Sequence, residues 1–465
     1  MIDGKQLNTW GFKPGRWYKD ALIAANAMRS GGATDDMIFK ALTAMQPSEI
    51  TMRTNGLPFS MLIDAENELE QDNINSVVQH MDALMRVPTI KAGAVMPDAC
   101  PSGSAIGTIP VGGVVACEDA IHPGFHSADI CCSVQVTVFN RNEDPKRILD
   151  VAQQVTHFGP GGRSHGMIRV PSPIMEEIAL NPFTAGLEDY ALRHFGTQGD
   201  GNHFAYVGVQ KSTGKPCLVT HHGSRGFGAQ LYKRAMAVAK KHTAIHAPKV
   251  PSHNAWIKAS STDGQNYWKA LQIVRLWTRS NHTIIHDLVR HQMGLTVLDR
   301  FWNEHNFVFQ KSDGLFYHGK GATPNWAGFS ADDDGRTLVP LNMAEPILIL
   351  EHTNNKDALG FAPHGAGRNL GRKAYMRGLK DKYWLESTDD EASQREFFQQ
   401  ETRNIDARFY CGRPDLSELP GAYKNAASVR AQINKYGIGK VVDEIIPYGS
   451  IMAGDWEVDA PWRKK

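Results

Sequence analysis

An excess of charge of one sign is missing from this chain. Fifty Lys and Arg stand against 49 Asp and Glu, for a formal net charge of +1 over 465 residues. No global field steers such a protein onto a polyanion, so any nucleic-acid site must be a local basic cleft. Cysteine is scarce as well. Six in this length do not make a disulfide framework, and the nearest two, Cys131 and Cys132, are adjacent, which argues against an ordinary bridge. No apolar run approaches a membrane span, and no basic-then-apolar leader opens the sequence. The expectation is a cytoplasmic protein with no membrane partner, whose reduced thiols are free to bind metal. Repeats, low-complexity tracts and linker-like composition breaks are absent too, and the length allows a large core.

What is present reads as α+β: a single large domain of mixed sheets with surrounding helices, residues 91–465, behind a mostly helical N-terminal segment, residues 1–90. Amphipathic stretches predict helices over Trp17–Met28, Thr34–Met45 (Thr34 as N-cap) and Asn75–Met85. Short strands are expected at Val111–Ala116 and Ser133–Phe139, then a helix from Asp144-Pro145 to about Val155. Residues 159–201 read as loop-rich. Strands follow at Phe204–Val209 and Cys217–Thr220, then a helical insertion at about 229–300, interrupted by Pro248 and Pro251. Its longest helix, Asp263–Met293, carries a stripe of Arg275, Arg279, His282, His286 and Arg290, read as a solvated face rather than a phosphate contact. Strand-like pieces return at Phe307–Phe309, Leu315–Tyr317, Leu338–Pro340 and Ile347–Leu350. A polar helical region over Thr388–Arg408, a helix at Ala426–Tyr436 and a strand at Val441–Ile446 complete the reading.

The chemistry centres on Asp129-Ile130-Cys131-Cys132, just before the alternating Val134, Val136 and Val138. A hard carboxylate and a soft thiolate three residues apart can hold a borderline divalent ion such as Mn²⁺ or Zn²⁺, and a thiolate can bridge two. Taken alone, the motif reads as a buried thiol and a capping aspartate. Three later histidines change that balance. His203 follows Gly199-Asp200-Gly201-Asn202, His221 ends a strand, and His305 precedes one. Singly each is a structural histidine; together with Asp129 and Cys132 they make a metal site as good a reading as none. Gly223-Ser224-Arg225-Gly226 offers amides, a hydroxyl and a guanidinium to a phosphate. His364-Gly365-Ala366-Gly367-Arg368 leaves an imidazole open among small residues, able to attack a nucleotide α-phosphate if it is not merely part of a turn. His318-Gly319-Lys320-Gly321 is a second Gly/Lys loop without the Walker spacing, so a P-loop NTPase is not indicated.

From Met96 onward these motifs resemble, in register, the RtcB-type RNA ligases. The matching stretches are Met96-Pro97-Asp98, Asp129-x-x-Cys132, Gly201-Asn202-His203-Phe204 and His221-x-Gly-Ser-Arg225-Gly, then His305-Asn306, Lys320-Gly-Ala-Thr323, His364-Gly-Ala-Gly-Arg368 and Ala422-Tyr423-Lys424. The resemblance implies two Mn²⁺ ions bridged by Cys132, with His221 and His305 on one and Asp129 and His203 on the other. It implies GTP as cofactor and His364 as the nucleophile that takes GMP. Asn202 and Asn306 would position the phosphate, and Asn342, Gly365, Gly367 and Tyr423 would line the nucleotide pocket. Asp98, Arg225, Lys320 and Arg368 would lie toward phosphate or RNA. The implied substrates are RNA ends carrying a 2′,3′-cyclic phosphate or 3′-phosphate and a 5′-hydroxyl, in RNA repair or tRNA splicing, with room for an activating protein.

Departures from the family pattern are specific. The acidic residue three positions after the metal histidine, which meets the guanine edge, is here Tyr206. The lysine before a C-terminal glycine is Ala453. The Pro-Gly-Ser-Met loop reads Pro340-Leu341-Asn342-Met343, an arginine is replaced by Gly319, and a histidine by Cys100. They leave guanine against adenine open and imply a divergent branch with a specialised RNA. Two other readings stand beside the ligase: a metal-dependent RNA phosphodiesterase or cyclic phosphatase with no nucleotide step, and a non-catalytic RNA-end-binding protein.

Overall fold

The computed structural model describes residues 1–15, 17–46, 50–164, 168–383 and 391–455. Two mixed sheets organise them. The larger runs in the order Arg336–Val339, Ile347–Glu351, Lys440–Met452, Phe204–Gln210, Pro216–His222, Ser133–Phe139 and Val297–Glu304, with Asp406–Phe409 parallel to the end of Lys440–Met452. The smaller runs Ser60–Met61, Ile90–Cys100, Val111–Cys117, Phe316–Lys320 and Asn306–Gln310. One residue separates the strand that closes the first sheet from the strand that edges the second. That residue is His305.

The central strand Ser133–Phe139 is buried on both faces. Val134, Val136 and Val138 enter an apolar cluster with Tyr206 and Val219. Ser133, Gln135 and Thr137 face the helix Thr262–Met293 instead, and their hydroxyls and amide are matched by it: His282 Nε2 lies 3.0 Å from Ser133, Thr283 donates to Gln135, and His286 Nδ1 lies 2.7 Å from Thr137. This corrects the solvated-stripe reading. Arg275 pairs with buried Glu304 and with Asp332, Arg279 with Asp332, and Arg290 with Asp287; His282 and His286 are fully buried. All five stripe residues are matched by protein partners, and of them Arg279 alone is exposed.

Several other elements differ from expectation. The third helix starts earlier, at Glu68, because Asn67 caps it through the Glu70 amide. The stretch 159–201 holds two short helices, Ser172–Leu180 and Glu188–Arg193. The helical insertion begins at Arg225. Of the region 388–408, residues 388–390 lie outside the described residues; Glu391–Thr402 is helix, but Asp406–Phe409 is a strand. His318-Gly319-Lys320 is no loop: it ends a strand, and the turn comes at Gly321, φ +57°. The helices Gly4–Thr9, Tyr18–Ser30 and Asp35–Met45 pack around their own small core of Leu7, Ala21, Ile38 and Leu42. No described helix is long and apolar enough to cross a membrane.

Candidate active site

The Asp129–Cys132 turn is knitted to two other segments by backbone hydrogen bonds. The Cys131 amide donates to Asn306 O at 2.8 Å, the His305 amide to Cys132 O at 2.8 Å, and the Ser224 amide to Ile130 O at 3.2 Å. Cys131 adopts φ +57°, a left-handed conformation that costs a non-glycine residue about 1–3 kcal/mol. The strain turns adjacent thiols apart: Cys131 joins the main core, and Cys132 faces the opposite way, toward the histidines.

Cys132 Sγ stands 3.2 Å from His221 Nε2 and 3.5 Å from His203 Nε2. His221 Nε2 is 3.2 Å from His305 Nε2, and His203 Nε2 is 3.2 Å from Asp129 Oδ2. Sulfur and nitrogen ligands at about 2.3 and 2.1 Å from one tetrahedral ion would stand about 3.6 Å apart, close to these spacings. The other ring nitrogens fix the tautomers. His203 Nδ1 lies 2.7 Å from Gln198 O and His221 Nδ1 3.0 Å from Asn202 O, so each Nδ1 carries the proton and each Nε2 presents a lone pair. Electron-rich atoms therefore converge with little between them to donate. Two sets emerge, Cys132–His221–His305 and Asp129–Cys132–His203, each with ligand atoms within 4.8 Å of one another and sharing the thiol. The donor set fits two borderline divalent ions.

Electrostatics agree. Burial, then neighbouring His203, pushes His221 down to about 3, and burial holds His305 well below its ordinary value, so both are neutral, the ligating form. Burial and Asp129 push the Cys132 thiol far up, an environment in which a cation is what would release the thiolate. Gly223 is required locally, since a Cβ there would collide with the Asp129 carboxylate.

His364 lies beside this cluster, its ring centroid 4.8 Å from that of His305. Its Nδ1 and backbone amide both meet Asp98 Oδ2, at 2.6 and 3.1 Å. Asp98 is fully buried, and Gly367, at φ +72°, lets the chain pass its carbonyl where a Cβ would not fit. A cavity of about 230 Å³ opens from the His364 and metal-ligand atoms. Asn202, Asn306, Asn342 and Tyr423 line it, as do Gly365, Gly367, Lys320 and Arg368. Asn306 Oδ1 accepts from the Gly321 amide at 2.8 Å, which ties the Lys320 turn to the His305 junction.

Of the expected phosphate contacts, Arg368 is held within the protein and Arg225 is turned inward. Arg368 pairs with Glu418 at 2.6 Å and stacks over Tyr423. Ser224 spends its hydroxyl on Ile130 O, and Arg225 folds in beside Gly199, 3.5 Å from His203. Lys320 reaches Ser102 Oγ, and burial lowers it to about 8. Sequence reasoning missed Glu418, which receives Arg368, Arg372 and the Tyr423 hydroxyl. It also missed the apolar wall of Phe204, Leu341, Met343 and Met452. The period-2 pattern of Phe204-Ala205-Tyr206 held the only signal for that wall.

A family model described as tRNA-splicing ligase RtcB matches residues 174–453. The chain belongs to the RtcB family. Among RtcB proteins it is similar to the RNA-splicing ligase RtcB of Escherichia coli (strain K12), 23% identical over 432 residues that cover 85% of this chain and 95% of that one. The tRNA-splicing ligase RtcB of Thermococcus kodakarensis is 23% identical, covering 82% and 91%. That of Pyrococcus abyssi is 26% identical over 296 residues, 55% of this chain but 31% of the archaeal protein. Asp98, Asp129 and Cys132 precede the stretch matched to the RtcB model, yet fold against residues inside it.

Proposed function

We propose that this RtcB-family chain is an RNA ligase that joins a 2′,3′-cyclic phosphate or 3′-phosphate end to a 5′-hydroxyl end, in RNA repair or tRNA splicing, with two Mn²⁺ ions and a nucleoside triphosphate, GTP being the one the family resemblance implies. The observation that carries it is His364 held on buried Asp98 next to a dinuclear donor set. Cys132 would bridge, with His221 and His305 on one side and Asp129 and His203 on the other. The ions would supply charge stabilisation for a transferring phosphoryl group.

Asp98 keeps the proton of His364 on Nδ1, leaving Nε2 as the free lone pair. Nε2 attacks the α-phosphorus; the N–P bond forms, the α–β bond breaks, and pyrophosphate leaves. A cyclic RNA end is first hydrolysed to the 3′-phosphate. An oxygen of that phosphate takes the nucleotidyl group, breaking the N–P bond and freeing His364. The 5′-hydroxyl then attacks the activated 3′-phosphorus, loses its proton, and expels the nucleoside monophosphate. Asn202, Asn306 and Lys320 line the route that these phosphates would take. A reducing cytoplasm suits the reading, since Cys132 must stay unoxidised, and all six cysteines are free.

The test is incubation with Mn²⁺ and α-labelled nucleoside triphosphate, wild type beside His364→Ala, followed by a denaturing gel. Label on wild type alone is expected. End hydrolysis without added nucleotide and without label would favour a phosphodiesterase, and tight end binding with no turnover a silent binder.

A further inference from the structure

Behind the metal ligands the large sheet presents a polar face to the helix Thr262–Met293. Ser133 stands opposite His222 across the ladder and Gln135 opposite Thr220, so these four side chains share that face with Thr137. Cys132 and His221 look the other way, into the cavity. Front and back adjoin in the chain: Ser133 follows Cys132, and Thr220 precedes His221.

The helix bonds to these supports. Arg275 holds Glu304, the residue before His305. Asn281 Nδ2 donates to Thr197 O at 2.9 Å, one residue before Gln198, whose carbonyl meets His203 Nδ1. His282 spans two supports at once, with Nε2 3.0 Å from Ser133 Oγ and Nδ1 2.7 Å from Thr220 Oγ1. The ligands so joined, Cys132 and His221, belong to one donor set and stand 3.2 Å apart.

The hydrogens along this seam run one way. The Ser133 hydroxyl donates to Cys131 O at 3.0 Å, so its oxygen accepts from His282 Nε2. His282 Nδ1 then accepts from the Thr220 hydroxyl. Thr220 Oγ1 accepts from His286 Nε2 at 2.8 Å, and His286 Nδ1 accepts from the Thr137 hydroxyl at 2.7 Å. Arg300 Nε donates to Thr137 Oγ1 at 2.8 Å and closes the chain. Reversed, the Thr137 hydroxyl hydrogen would have no acceptor among these groups. Each imidazole is thus neutral, with one donor and one acceptor, and burial holds both well below the ordinary histidine value. A buried network whose members are all satisfied makes rigid what it joins.

We propose that His282 is a positioning residue of the metal site: by joining Ser133 to Thr220 it holds the Cys132 thiol and the His221 imidazole at the spacing that one ion requires. This rests on the reading that those two side chains share an ion, and it is independent of the nucleotide and of His364.

The experiment titrates the full chain with Mn²⁺, following free Mn²⁺ by its paramagnetic resonance signal. Urea unfolding of the metal-free chain confirms that each variant is folded. His282→Gln has one amide end and cannot span both hydroxyls. Thr220→Val keeps the shape without the hydroxyl, and Thr220→Ser keeps the hydroxyl. Groups that orient metal ligands change affinity by about 10- to 100-fold when replaced, so His282→Gln and Thr220→Val are each expected to weaken at least one ion by about tenfold or more, with Thr220→Ser within about threefold of wild type. Thr283→Val removes a bond from the same helix to Gln135, which has no ligand next to it, and is expected to leave manganese affinity unchanged. Wild-type affinity in Thr220→Val, or an equal loss in Thr283→Val, overturns the assignment while the dinuclear reading stands. A wild-type chain that binds no manganese overturns both. If His282→Gln does not fold, the Thr220 pair decides.

Discussion

Asp98 and His364 are 266 residues apart in the chain, yet Oδ2 of the first lies 2.6 Å from Nδ1 of the second. The same oxygen also takes the His364 amide, so one buried carboxylate fixes both the backbone and the ring. Asp98→Asn keeps the shape but replaces an acceptor-only group with one that can offer a donor to Nδ1. Nucleotidyl labelling of His364 is expected to fall at least 100-fold, while manganese content by mass spectrometry stays at the wild-type value. Equal loss of metal would mean that Asp98 holds the site together rather than the nucleophile.

Local pattern carried the site further than it carried the fold. Cys132, His221 and His305 all sit at strand ends, and alternation in Ser133–Phe139 and the Gly-rich flanks marked those ends in the sequence. The strand Ile90–Cys100 was not legible, because Pro97 and Asp98 oppose strand formation and the ladder is interrupted between Val95 and Cys100. The stripe on Thr262–Met293 was misread for a different reason. Its partners, Glu304 and Ser133 among them, lie 29 and 149 residues away, and only tertiary contact reveals that the charges are matched. Glu418 was invisible likewise: nothing near it in sequence announces three partners.

Lys320 gives the pocket a pH dependence. Burial lowers its ammonium to about 8, with Cys100 the opposing influence. The unfolded chain holds that proton up to about 10.4, so the group destabilises the fold fully below pH 8, and the penalty disappears as pH rises from 8 to about 10.4. A bound phosphate needs the charged form. Nucleotide affinity is expected to weaken above pH 8, approaching tenfold per pH unit, and Lys320→Met to bind more weakly at pH 7 with no such slope. Titration calorimetry at pH 7, 8 and 9 measures both.

The Arg275–Glu304 pair anchors the strand end next to His305. Glu304 has no exposed side-chain surface, and Arg275 also holds Asp332 while stacking over Trp302. Arg275→Met leaves a buried carboxylate without its partner, an expected loss of about 3–5 kcal/mol. Urea unfolding followed by tryptophan fluorescence reads this directly; a loss under about 1 kcal/mol would mean that water reaches Glu304.

Gly223 stands against one of the two proposed metal positions. Its missing Cβ is the space that the Asp129 carboxylate occupies, and Asp129 belongs only to the set with His203 and Cys132. The other set, Cys132, His221 and His305, hangs on the ends of two strands and does not use that space. Gly223→Ala should therefore push Asp129 away from His203 while leaving the second set intact. Manganese per chain is expected to drop from two toward one, with the remaining ion bound as tightly as in wild type. If both ions were lost together, the set of Cys132, His221 and His305 could not hold an ion without the other set filled, and Gly223 would support the whole site rather than the Asp129 position alone. If neither were lost, the carboxylate would have another way to reach the ion, and the Asp129–His203 spacing of 3.2 Å would not be what defines that position.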